Sequence, residues 1–89
     1  MTEIQRVDVQ GGDTVFKAEI WTEHATYIFA FEYGFYSCHK CGVDVRHGKP
    51  EQHEVVETGT ESGLEELEIM NIAEFCKGKV EQYEEEAEV

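Results

Sequence analysis

Five aromatic rings occupy every second position from Tyr27 to Phe35, in the run Tyr27, Phe29, Phe31, Tyr33, Phe35. A period of two is the period of a β-strand, whose successive side chains point to opposite faces. An α-helix would scatter the same rings around its circumference. The pattern predicts a strand over 26–36 with all five rings on one face. The other face carries Ile28, Ala30, Glu32, Gly34 and Tyr36. Aromatic residues favour strands, and an aromatic row supplies much of the core of a small domain. A row of rings can also serve as a base-stacking platform for single strands, a reading that the chain's charge opposes.

The rest of the chain is organised around that strand. Residues 4–10 and 14–21 read as strands joined by a turn at Gly11-Gly12-Asp13. The second places Phe16, Ala18 and Ile20 on one face. Thr22–Ala25 is a polar turn. Short alternations at 43–46 and 54–58 predict two further strands, separated by the polar loop 47–53. Ser62-Gly-Leu-Glu65 fits a capping box, Lys77 suits a helix C-terminus, and Gly78 suits the position just beyond it. These signals predict a helix over 63–77. Ile69, Ile72, Ala73 and Cys76 form one apolar stripe, with Leu64, Leu67 and Phe75 outside it. A helix apolar on more than one side is buried twice or meets a partner, so a twofold homodimer through the helix is one expectation. Residues 80–89 read as an acidic tail, a frayed helix or a disordered segment. The expected fold is one α+β domain over 1–79. It is a small antiparallel β-sheet, a meander of four to five short strands with a Cys-x-x-Cys hairpin, packed by one C-terminal helix.

At 89 residues, a chain buries only about 60–65% of its unfolded surface. Such domains often recruit a metal or a partner for stability. The motif Tyr36-Ser-Cys38-His-Lys-Cys41-Gly42 leads from one predicted strand to the next and resembles a zinc knuckle. His47 and His53 follow. Cys38, Cys41, His47 and His53 are therefore candidate ligands of a closed, structural zinc site, since zinc takes four nitrogen or sulfur ligands in a tetrahedron. His39 and Cys76 are reserve ligands. Free thiols and a redox dithiol are the competing readings. The three cysteines are an odd number, which argues against a secreted disulfide framework.

Charge divides the chain. Residues 1–50 hold seven acids and five bases, and residues 51–89 hold thirteen acids and two bases, so −11 of the net −13 lies in the second part. That field repels phosphate backbones and anionic lipid and attracts basic protein surfaces. The expected function is an acidic, non-enzymatic binding or inhibitor protein. It would engage a basic partner, including one that normally holds DNA or RNA, in the way of small viral nucleic-acid mimics. Glu61, Glu65, Glu66, Glu68, Glu74, Glu81, Glu84 and Glu85 are the candidate contact residues. Solubility alone is the bland reading of the same charge. The alternative function is a zinc-stabilised adaptor domain. No oriented Cys–His pair or phosphate-cradling glycine loop supports catalysis. No leader or membrane span is visible, and a cytoplasmic location follows as an expectation.

Overall fold

Tyr33 and Gly34 divide the predicted aromatic strand in two. Both have positive φ, 49° and 83°, and Glu32 pairs directly with Phe35 across them. This is the two-residue hairpin whose twist matches the strands it joins, and it needs left-handed backbone at both central positions. The computed structural model describes residues 3–12, 15–44, 49–60 and 68–87. Five strands follow in order: β1 (Ile4–Gly12), β2 (Val15–Thr22), β3 (Ala25–Glu32), β4 (Phe35–Asp44) and β5 (Lys49–Thr60). They form one antiparallel sheet in the order β1-β2-β3-β4-β5. Among the described residues one helix follows them, α1 (Ile69–Ala87).

A two-residue loop pairs odd positions with even ones, and this reassigns the rings. Phe31 faces Tyr36 in the ladder, and Phe29 faces Cys38. Tyr27, Phe29, Phe31 and Tyr36 are buried together on one face of the sheet. Tyr33 is at the hairpin tip and Phe35 falls on the opposite face; they are 67% and 63% exposed. The expectation of five rings on one face is thereby corrected to three rings from β3 and one from β4. Gly59 lies across from Tyr36. A Cβ there would stand 2.8 Å from the Tyr36 ring, so glycine is what lets that ring lie flat over β5.

The helix ends later than its sequence signals suggest. It spans Ile69–Ala87, so the segment read as a tail is its second half. The expected cap at Ser62–Glu65 lies outside the described residues. Ile72, Cys76 and Val80 recur at intervals of four and are fully buried on the ring face, as one stripe of a helix must be. Phe75 packs edge-on against Phe31 and Tyr36, with centroids 6.0 and 5.5 Å apart, and Tyr83 stacks on Tyr27 at 6.1 Å. Phe75 is thus part of the core rather than a dimer surface, and Leu64 and Leu67 lie outside the described residues. Gly78, expected to end the helix, is an exposed interior position with nothing within 4 Å of an added Cβ. No helix among the described residues is long and apolar enough to cross a membrane.

Phe31 sits where sheet and helix meet, so Phe31→Ala should destabilise by about 3–5 kcal/mol, the usual cost of emptying a core aromatic site. Gly78→Ala should stabilise by roughly 0.5–1 kcal/mol, because it removes the backbone freedom of glycine without meeting any atom. Urea melts of both variants beside the parent chain measure these opposite shifts.

Candidate functional site

The i, i+4 stripe that buries Ile72, Cys76 and Val80 dictates what the rest of α1 shows to solvent. One further step of four reaches Glu84, which is buried. The Thr22 hydroxyl lies 3.2 Å from Glu84 Oε1 and 3.1 Å from the Ala25 carbonyl, either of which accepts its proton. The Thr22 oxygen in turn accepts the N–H groups of His24 and Ala25 at 3.3 and 3.2 Å. Glu84 also bonds Tyr27, and burial together with this carboxylate raises the Tyr27 phenol well above its ordinary range. Glu84 therefore ties the helix to the β2–β3 turn and is withdrawn from the candidate contact residues.

Glu74, Glu81, Glu85 and Glu86 are exposed along α1, as is Glu68 just before it. Lys77 pairs with Glu74 at 3.2 Å, and Lys79 turns toward Glu57 at 3.6 Å. The last turn of the helix contains no basic residue, so Glu85 and Glu86 stand at the negative end of the helix dipole, with Glu81 one turn before them. Each carboxylate placed there costs about 0.3–1 kcal/mol at low ionic strength. Glu61, Glu65 and Glu66 lie outside the described residues. Glu86, missed as a contact residue, follows from extending the helix to Ala87.

Glu57 on β5 is the centre of a second cluster. The Tyr36 hydroxyl donates to its Oε1 at 3.1 Å, and the Tyr83 hydroxyl donates to its Oε2. The Tyr83 bond first, then Tyr36 and the Lys79 charge, hold the Glu57 carboxyl below its ordinary range against some desolvation. Both phenols are raised, chiefly by burial. A carboxylate with both oxygens engaged and its charge favoured is a poor general base near neutrality. The cluster joins β4, β5 and α1 beside a hollow of about 330 Å³ lined by Val56, Glu57, Lys79, Gln82, Tyr83 and Glu86.

The four candidate zinc ligands are distributed differently from the expectation. Cys38 and Cys41 lie within β4, so the Cys-x-x-Cys segment is not a hairpin. Cys38 pairs with Phe29 and Cys41 with Thr26. An offset of three residues in a strand places them on opposite faces. Cys41 and His53 are register partners across β4 and β5, whereas His47 lies outside the described residues. Cys38 and Cys76 are buried beneath the helix, and burial pushes both thiols up to about 12. Among the described residues, no group of three or more His, Cys, Asp or Glu is arranged to hold a metal. The ring row offers no base-stacking surface, since Tyr27, Phe29 and Phe31 are at most 1% exposed.

Because the Glu57 carboxyl is depressed on folding, its contribution to stability is complete above the ordinary Glu value of about 4.3. It is lost as pH falls through the lower folded value. Glu57→Gln should lose on the order of 1–2 kcal/mol at neutral pH, through weakened bonds from Tyr36 and Tyr83. The gap between variant and parent should close as pH is lowered from about 5 to about 3. Thermal melts across that range measure it; a gap that stays constant shows that Glu57 is not charged in the latch.

Comparison with known proteins finds no family model, no curated protein and no solved structure that matches this chain, so its function has to be read from its own residues.

Proposed function

We propose that this chain is a non-enzymatic binding protein that presents the exposed carboxylates of α1 to a basic surface on another protein, of the kind that otherwise holds DNA or RNA. The observation that supports this reading is the placement of Glu85 and Glu86, exposed in a last helical turn that holds no cation, with Glu81 exposed one turn before them. Carboxylates opposing the helix dipole run against local electrostatics, and such conflicts collect at functional surfaces. Spacing is compatible with mimicry. At 1.5 Å rise per residue, Glu81 and Glu85 are about 6 Å apart along the axis. Every second phosphate of one DNA strand advances about 6.8 Å. The helix holds this spacing rigidly because its other side is locked by Ile72, Cys76, Val80 and Glu84. Attraction by such a surface acts mainly on the association rate and weakens with salt.

A second reading, a zinc-stabilised adaptor domain, draws on the register pairing of Cys41 with His53. It differs in what it expects of the purified protein: about one zinc per chain and a melting temperature that drops on chelation. Metal-free protein with unchanged melting removes it.

The binding proposal is tested by capture from a lysate at low salt, with duplex DNA as competitor. The expected result is a basic, nucleic-acid-binding protein that is retained, displaced by DNA and released by salt. Combined Glu81→Lys, Glu85→Lys and Glu86→Lys should abolish retention while changing stability little, since exposed substitutions usually cost within about ±0.5 kcal/mol each. A captured partner that holds the triple variant as tightly as the parent leaves the acidic ridge as solvated surface only.

A further inference from the structure

An open antiparallel sheet ends in two strands that each leave a row of backbone N–H and C=O groups unpaired. Here the two edges are β1 and β5, and their sequences differ in kind. β5 holds Pro50, Glu51, Glu54 and Glu57, and its ladder with β4 is broken by two register shifts. Proline, charge and bulges are the devices by which sheet edges resist further pairing. β1 holds neither proline nor lysine. Its register shift against β2 lies at its start, between Ile4 and Arg6, and the ladder is regular from Arg6 to Gly12. Among the described residues β1 pairs with β2 alone, and Gln5, Arg6, Val7 and Gln10 are exposed.

The side chains of β1 select the strand that fits beside it. Val7 is in register with Ile20, and Ile20 with Tyr27. Ile20 and Tyr27 are at most 1% exposed, whereas Val7 is 38% exposed. The buried layer therefore runs out to the edge at Val7 and ends there uncovered. Arg6 and Asp8 flank Val7 and point to the opposite face. The Arg6 guanidinium lies over the Trp21 ring, 5.8 Å from its centroid, and reaches Asp8 at 3.4 Å. A same-strand ion pair this exposed contributes little, so exchanging it for a pair across strands forfeits little. When two copies of one strand run antiparallel about a twofold axis beside one residue, positions equally distant from that residue face each other. An axis at Arg6 or at Asp8 sets like charges opposite, which destabilises the pairing. An axis at Val7 sets Arg6 of each copy opposite Asp8 of the other and brings the two Val7 side chains together.

We propose that β1 is a self-pairing edge, through which two copies of the chain join antiparallel about an axis at Val7 into one continuous sheet. Each copy covers the open flank of the other at Val7, and the Arg6–Asp8 attraction becomes reciprocal across the junction. Two chains of net charge −13 repel each other at long range, and salt screens that repulsion more than it weakens charges in contact. The dimer therefore gains with added salt. Capture of a basic partner by α1 has the opposite salt dependence, so the two interactions are separable and neither rests on the other.

Sedimentation equilibrium of the full chain in high salt should show a monomer–dimer equilibrium that shifts toward monomer as salt is removed. Arg6→Asp and Asp8→Arg each set like charges opposite at both junction pairs and should each weaken the dimer by roughly tenfold. Asp8→Arg should do so although it carries less net negative charge than the parent. The double exchange, Arg6→Asp with Asp8→Arg, keeps the strand self-complementary and should restore the dimer. An equal mixture of the two single variants should form a mixed dimer as tightly as the parent dimerises, because Asp then faces Arg at both pairs. The proposal is overturned by a parent chain that stays monomeric in high salt, by Asp8→Arg dimerising as well as the parent, by a double exchange that stays monomeric, or by single variants that do not associate when mixed.

Discussion

Contact between the Ile72-Cys76-Val80 stripe and the rings of Tyr27, Phe29, Phe31 and Tyr36 is the constraint on which the molecule depends. A meander this small has one face it can bury, and one helix is the only described element able to cover it. Every other placement follows. The stripe's rotation about the helix axis decides which glutamates meet water. The helix runs on past Val80 and so brings Tyr83, about three turns beyond Ile72, onto Tyr27 and Glu57. Its alignment with the ring face leaves the reverse side of the sheet uncovered by the described residues.

Much of this architecture was legible in the sequence. The alternation at Tyr27, Phe29 and Phe31 set both the strand and the buried face, and the apolar positions of α1 set the helix. The errors have definite causes. The ring alternation runs through Tyr33 and Phe35 without interruption, so periodicity alone conceals the turn. Only the Tyr33-Gly34 pair hinted at it, and Tyr is an unusual choice for left-handed backbone. Once the strand was read through the turn, β4 was shortened to a zinc-knuckle hairpin. Counting outward from Glu32–Phe35 places Cys38 and Cys41 on opposite faces instead. The helix was ended at Gly78 because glycine commonly follows a C-terminus. Val80, Tyr83 and Glu84 continue the stripe, and their tertiary contacts outweigh the local preference.

Charges that look alike in the sequence have separate physical roles. Glu57 and Glu84 each accept hydroxyl hydrogen bonds and fasten α1 to the sheet at two points, β5 and the β2–β3 turn. Such engaged carboxylates specify where the helix docks, and losing a partner would strand a charge in a partly dry site. Neither could be told from its neighbours by composition, because what distinguishes them is the helical phase of Tyr83 and Glu84 and the register of Glu57 opposite Cys38. The carboxylates left over, Glu81, Glu85 and Glu86, have no such engagement with the sheet.

Two sides of the molecule therefore have contrasting chemistry. The helix side is acidic, convex and rigid, suited to a large basic surface that arrives under long-range attraction. The reverse side exposes Val15 and Phe35, with Arg6 paired to Asp8 and Lys17 to Glu19. A strongly negative protein discourages both anions and copies of itself from approaching closely. The same excess of glutamate that would draw a basic partner to α1 therefore also sets copies of this chain against one another.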